Sequence, residues 1–108
     1  MSDAPFAIEP LEGERAYRLT GPLDLPSHMA LTELMEELVR TPGDITLDIA
    51  TVTFMDSSGL RVILDACREL ADTGSVRLVN PGGQVRKLLR LTDAAGAVPN
   101  LEVVETKV

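Results

Sequence analysis

One cysteine, Cys67, and one histidine, His28, are all that the 108 residues hold of these two side chains. A lone cysteine excludes an internal disulfide framework, and its place in an apolar period with Leu60, Ile63, Leu64 and Leu70 marks it as a small core residue. His28 has no second His, Cys or clustered acid at ligand spacing, so no metal site is expected. Positive charge is scarce too. Ten Lys and Arg stand against 17 Asp and Glu, for a net charge of -7, which disfavours nucleic acid or anionic lipid as the main partner. A partner with a basic patch fits better. No apolar run approaches the ~20 residues of a membrane span. Met1 to Pro5 lacks the basic and apolar regions of a signal peptide, so a cytoplasmic, membrane-free protein is expected. No repeat and no low-complexity tail is visible.

The machinery of an enzyme is missing as well. A serine nucleophile requires a hydrogen-bonded His or Lys to take its proton, and His28 falls inside a helical pattern without an orienting acid. There is no Gly-x-x-x-x-Gly-Lys phosphate loop, and Gly82-Gly83 alone does not make a nucleotide cradle. The acid pair and later Lys of a two-component receiver are absent. The chain is therefore expected to accept chemistry and not to perform it, with no cofactor.

What remains is the balance of a globular protein, 44% hydrophobic and 25% charged, long enough for one core and one domain over residues 1–108. Phe6 and Ile8, then Tyr17 and Leu19, alternate with more polar residues around Glu12-Gly13-Glu14 and predict an opening hairpin. Gly21 to Pro26 is rich in breakers and reads as a loop. Leu31, Leu34, Met35 and Leu38 follow helical spacing after Ser27, a candidate N-cap. A strand from Ile45 to Ile49 leads through an irregular piece with Val52 and Phe54 into a second helix, Ser58 to Thr73, with Gly74 as its C-cap. Ser75 to Val79 is a further strand. Asn80 and Pro81 are expected to open a third helix, in which Val85, Leu88 and Leu89 face inward, Arg86, Lys87 and Arg90 face outward, and Gly96 and Pro99 mark the end. Leu101 to Glu105 closes the chain as an edge strand.

This order predicts an α/β fold: a mixed, mostly parallel sheet with an N-terminal hairpin and three to four helices. In such sheets the loops after parallel strands gather on one edge. Gly21 to Asp24, Asp56 to Gly59 and Asn80 to Gly83 should then lie side by side.

The hydrophobic period changes from two to about 3.6 at Asp56-Ser57. Asp56 suits an N-cap, because its carboxylate can accept from the free N–H groups of a first helical turn. Ser57 and Ser58 fall at the first helical positions, with Gly59 leaving the turn unencumbered.

Phe54-Met55-Asp56-Ser57-Ser58-Gly59-Leu60 resembles the signature of bacterial anti-sigma factor antagonists of the STAS domain family. Leu19 to Asp24 is similar to that family's Gly-Glu-Leu-Asp loop, and Asn80-Pro81 matches a pair found after its next strand. The resemblance implies a partner-switching regulator of transcription. Its unphosphorylated form binds an anti-sigma factor, itself a serine kinase of the histidine-kinase-like ATPase type, and frees a sigma factor. The resemblance further implies a PP2C-type serine phosphatase that resets it, and a monomer or weak dimer is expected. Ser57 is the implied phosphate acceptor and Ser58 the alternative. Gly21, Asp24, Asp56, Ser57, Ser58, Gly59, Leu60, Arg61 and Asn80 are the implied partner-binding residues, with Asp24 pairing to an Arg or Lys of the kinase. Pro22 stands where the family usually has Glu, and Arg61 where a small residue is common. The same fold also serves as a subunit of lipid-exporting ABC transporters and as a scaffold in stress-sensing assemblies; the intact Asp-Ser-Ser-Gly favours signalling.

Overall fold

The computed structural model of the chain describes residues 5–13 and 15–106. The elements in order are β1 (Ala7–Pro10), β2 (Ala16–Leu23), a 3-10 turn (Leu25–Ser27), α1 (His28–Leu38), β3 (Ile45–Met55), α2 (Ser57–Leu70), β4 (Val76–Val79), α3 (Gly83–Thr92), α4 (Ala94–Ala97) and β5 (Leu101–Val104). The five strands lie in sequential order. β1 runs antiparallel to β2 and the other neighbours are parallel, the mixed sheet with an opening hairpin that the sequence predicts.

Alternate residues of the strands, among them Leu19, Leu23, Ile45, Leu47, Ile49, Val76 and Leu78, enter one apolar cluster with Leu31 and Met35 of α1, Ile63, Cys67 and Leu70 of α2, and Val85 and Leu89 of α3. The intervening positions pair across the strands in water: Arg18 with Asp48 (3.4 Å), Thr20 with Thr51 (2.9 Å), Arg77 with Glu102 (3.1 Å). Helices thus cover one face of the sheet and the other stays polar. Burial pushes the Cys67 thiol up to about 11, in keeping with a core residue. Arg86, expected on an outer basic face, forms an ion pair with Glu105. None of the described helices is long and apolar enough to cross a membrane.

β3 departs from expectation by not stopping at Ile49. It runs on to Met55, and its register against β2 slips between Arg18 and Thr20 and again between Gly21 and Pro22. Asp48 Oδ1 accepts from the Ala50 N–H (3.0 Å) at the first irregularity. Each slip leaves two consecutive residues outward, Ala50-Thr51 and Thr53-Phe54, so the alternation loses phase while the strand continues. β2 likewise extends through Gly21, Pro22 and Leu23, which pair with Val52, Phe54 and Met55. β1 reaches only Thr20, so beyond it β2 has a free edge where a proline's missing donor is tolerated. Gly21, at φ +89, sits at the second slip.

Helix ends differ as well. α2 stops at Leu70, capped by Ala71 at φ +51, and its last carbonyls are met by a side chain: Asn100 Nδ2 lies 2.8 Å from the Cys67 C=O and 2.9 Å from that of Ala71. Gly74 is not the cap. A Cβ there would lie 2.1 Å from the Gly43 carbonyl oxygen. α3 begins at Gly83 with Gly82 as N-cap, and not at Asn80-Pro81. Asn80, at φ +58, binds Thr106 through both amide atoms, each at 2.9 Å. α3 ends at Thr92, with Asp93 as its left-handed C-cap, and Gly96 belongs to α4.

Candidate functional site

β2 and β3 finish together. Leu23 pairs with Met55, and the Asp56 N–H donates to the Leu23 C=O at 3.3 Å. Asp24 and Asp56 are the next residues on the two strands, so the register brings two half-exposed carboxylates to one rim. Asp56 is the extended N-cap of α2. Its Oδ1 accepts from the Gly59 N–H (3.0 Å) and from the Ser58 hydroxyl (2.6 Å). Ser58 is therefore half-buried and committed. Ser57 is exposed, and among the described residues its side chain makes no hydrogen bond.

Gly59 joins the two loops. A Cβ on it would lie 2.7 Å from Leu23 Cγ and 2.8 Å from the Leu23 carbonyl oxygen, so the first turn of α2 rests directly on the end of β2. Because it packs so closely, Leu60 is only 2% exposed. Expected among the partner-binding residues, Leu60 instead supports the turn from within the core. Gly21 is also buried, two residues behind Leu23, and shapes the strand without presenting a surface. Arg61 is exposed one turn further along, 4.0 Å from Asp65, which Arg68 holds more closely at 3.0 Å.

The third expected loop is set back. β4 pairs only with the first part of β3, Asp48 against Val79, so Asn80 stands level with Ile49, seven residues before Asp56. That is roughly 20 Å of strand. The loops fail to align because β3 has 11 residues and β4 only four. Gln84 bridges the gap: its Oε1 accepts from the Met55 N–H (2.9 Å) and its Nε2 donates to the Met55 C=O (2.8 Å), satisfying the backbone donor and acceptor that β4 does not reach. Nothing in the sequence pattern distinguishes this glutamine. Three other neighbours escaped it too. Leu25, directly after Asp24, and Met29, one helical turn on, are each 70% exposed, and His28 lines with Ser58 a groove of about 960 Å³ between α1 and α2.

The Asp56 carboxyl is held below its usual range. The Ser58 hydroxyl is the main cause, partial burial opposes it, and the Gly59 and Ser58 N–H groups and the nearby His28 add to it. A carboxylate with a depressed folded value stabilises the protein fully above its unfolded value of about 3.9, and loses that contribution as pH falls through the folded value. Asp56→Asn keeps an N-cap acceptor but loses the charge. The variant is expected to be less stable than the parent at pH 7, and the gap is expected to narrow as pH falls below about 4 towards the folded value, as read from urea unfolding across that range.

The STAS domain profile matches residues 6–106, and the chain belongs to the STAS domain family. No curated protein matches it. Among solved structures it is similar to an anti-sigma factor antagonist from Mycobacterium paratuberculosis, with a TM-score of 0.74 and 22% identity over 91% of this chain and 84% of that one. The anti-sigma factor antagonist SpoIIAA in its unphosphorylated form gives 0.66 and 21% over 96% and 89%. The phosphorylated form of SpoIIAA, a Bacillus cell fate determinant, gives 0.65 and 23% over 92% and 90%. At these identities the likeness is one of fold.

Proposed function

We propose that this STAS protein, a single domain over residues 1–108, is a cytoplasmic anti-sigma factor antagonist and not an enzyme. Unmodified, it docks on an anti-sigma factor serine kinase through the rim formed by Asp24 and the Asp56-Ser57-Ser58 turn, and so frees a sigma factor. Phosphate on Ser57 dissolves the complex, and a PP2C-type phosphatase restores it. The observation that carries this reading is the exposed, unengaged Ser57 hydroxyl beside a Ser58 whose hydroxyl is held by Asp56. A kinase can reach the first without disturbing the cap and cannot take the second without breaking it.

A phosphoserine brings about -1.5 to -2 charges to the leading end of α2, where the helix dipole contributes roughly 0.3 to 1 kcal/mol in its favour. The fold therefore tolerates the modification, and its effect falls on docking. Anti-sigma factor antagonists of this fold support the reading, since SpoIIAA occurs in phosphorylated and unphosphorylated forms. The test is to incubate the protein with its cognate anti-sigma factor kinase and ATP and to map the product by peptide mass spectrometry. One phosphate on Ser57 is expected; a phosphate on Ser58 or elsewhere overturns the assignment.

A further inference from the structure

Large apolar side chains stand in water at five described positions, and two of them, Leu25 and Met29, lie within one turn of each other at the start of α1. They are surplus to the core. α1 turns Leu31, Met35 and Leu38 inward, and at 100° per residue Met29 falls on the opposite side of the helix. The pair is continuous with the rim already described, because Leu25 follows Asp24 and α1 packs along α2.

The surroundings are acidic. Asp24 and Asp56 lie on one side, and exposed Glu33 and Glu36 lie one and two turns along α1. Neither glutamate forms an ion pair among the described residues, whereas Glu37 is matched by Arg40 at 3.7 Å. The cations of α2 that line the groove beside Glu36, Arg61 and Arg68, both face Asp65, at 4.0 and 3.0 Å.

We infer that Leu25 and Met29 form an apolar foothold within an acidic collar that receives a helix of the anti-sigma factor bearing apolar residues beside Lys or Arg; this rests on reading the Ser57 turn as the docking site. Charge complementarity selects this occupant. A second copy of the chain would set collar against collar at -7 per molecule, and an anionic membrane would meet the same repulsion. A basic amphipathic helix satisfies both the apolar pair and the acids around it.

The test measures the affinity of the unmodified protein for its cognate anti-sigma factor by calorimetry. Leu25→Ser/Met29→Ser is expected to weaken binding about 30-fold, since a few side chains buried at the centre of an interface carry most of its energy. Its thermal midpoint should stay that of the parent, because both side chains are exposed. Glu33→Gln/Glu36→Gln should weaken binding about threefold to tenfold and flatten its salt dependence. Parental affinity in the serine variant overturns the foothold, and if Ser57→Asp still abolishes binding in the same assay the Ser57 reading stands. Tight binding by Ser57→Asp overturns the Ser57 reading instead. Self-association of the parent that the serine variant loses, seen by sedimentation, overturns the choice of occupant.

Discussion

Ser57→Asp is expected to bind the anti-sigma factor at least about 100-fold more weakly than the parent, and Ser57→Ala to bind within about threefold of it. The hydroxyl is small, exposed and makes no hydrogen bond among the described residues, so its loss removes little at an interface. A carboxylate at the same place must shed water on docking. It does so beside Asp56 and, across the paired ends of β2 and β3, beside Asp24. A charge buried without a partner costs several kcal/mol, and each 1.4 kcal/mol is a factor of ten in affinity. The helix dipole offsets at most about 1 kcal/mol of this and does so equally in the free protein, so it does not rescue the complex. Surface plasmon resonance on parent, Ala and Asp variants checks the ordering. Equal affinities for all three would mean that Ser57 lies outside the contact.

Gly74→Ala has the largest expected effect on the fold. The added methyl would sit 2.1 Å from the Gly43 oxygen and 2.6 Å from its carbonyl carbon, and a backbone group cannot swing aside as a side chain can. The two segments are stitched on either side of the clash, by Gly43 N–H to Thr73 C=O at 3.0 Å and Ile45 N–H to Ser75 C=O at 2.8 Å. Relief requires breaking one of them at the point where β3 begins. A loss of about 3 kcal/mol or more is expected, which lowers the urea midpoint by roughly 2 M. Gly83→Ala is the control: it lies in the first turn of α3, its Cβ meets nothing within 4 Å, and its midpoint should stay at or slightly above the parent's. Equal midpoints for the two variants would refute the close approach.

The amphipathic helices, the hairpin and the capped turn at Asp56 were legible because each repeats a short-range signal: a period of two, a period of 3.6, or a side chain bonded three residues on. What escaped depends on residues distant in sequence. The two slips in β3 reset the alternation, which made an 11-residue strand look like a five-residue one. Pro22 reads as a breaker unless β1 is known to end before it. Gly74 reads as a cap unless Gly43 is known to press against it. Leu60 carries the resemblance's motif, but the contact of Gly59 with Leu23 decides that it faces the core. Asn80 and Gln84 exchange expectations for the same reason: β4 is short, so the residue that ends it falls behind and the one a turn into α3 reaches forward.

The overhang of β3 past β4 has a mechanical meaning. Its last residues are flanked by backbone on the β2 side alone, and on the other by the pair of hydrogen bonds that Met55 and Gln84 exchange. A load placed on that tip would reach α3 through one side-chain amide, a strut between the end of β3 and the first turn of the far helix.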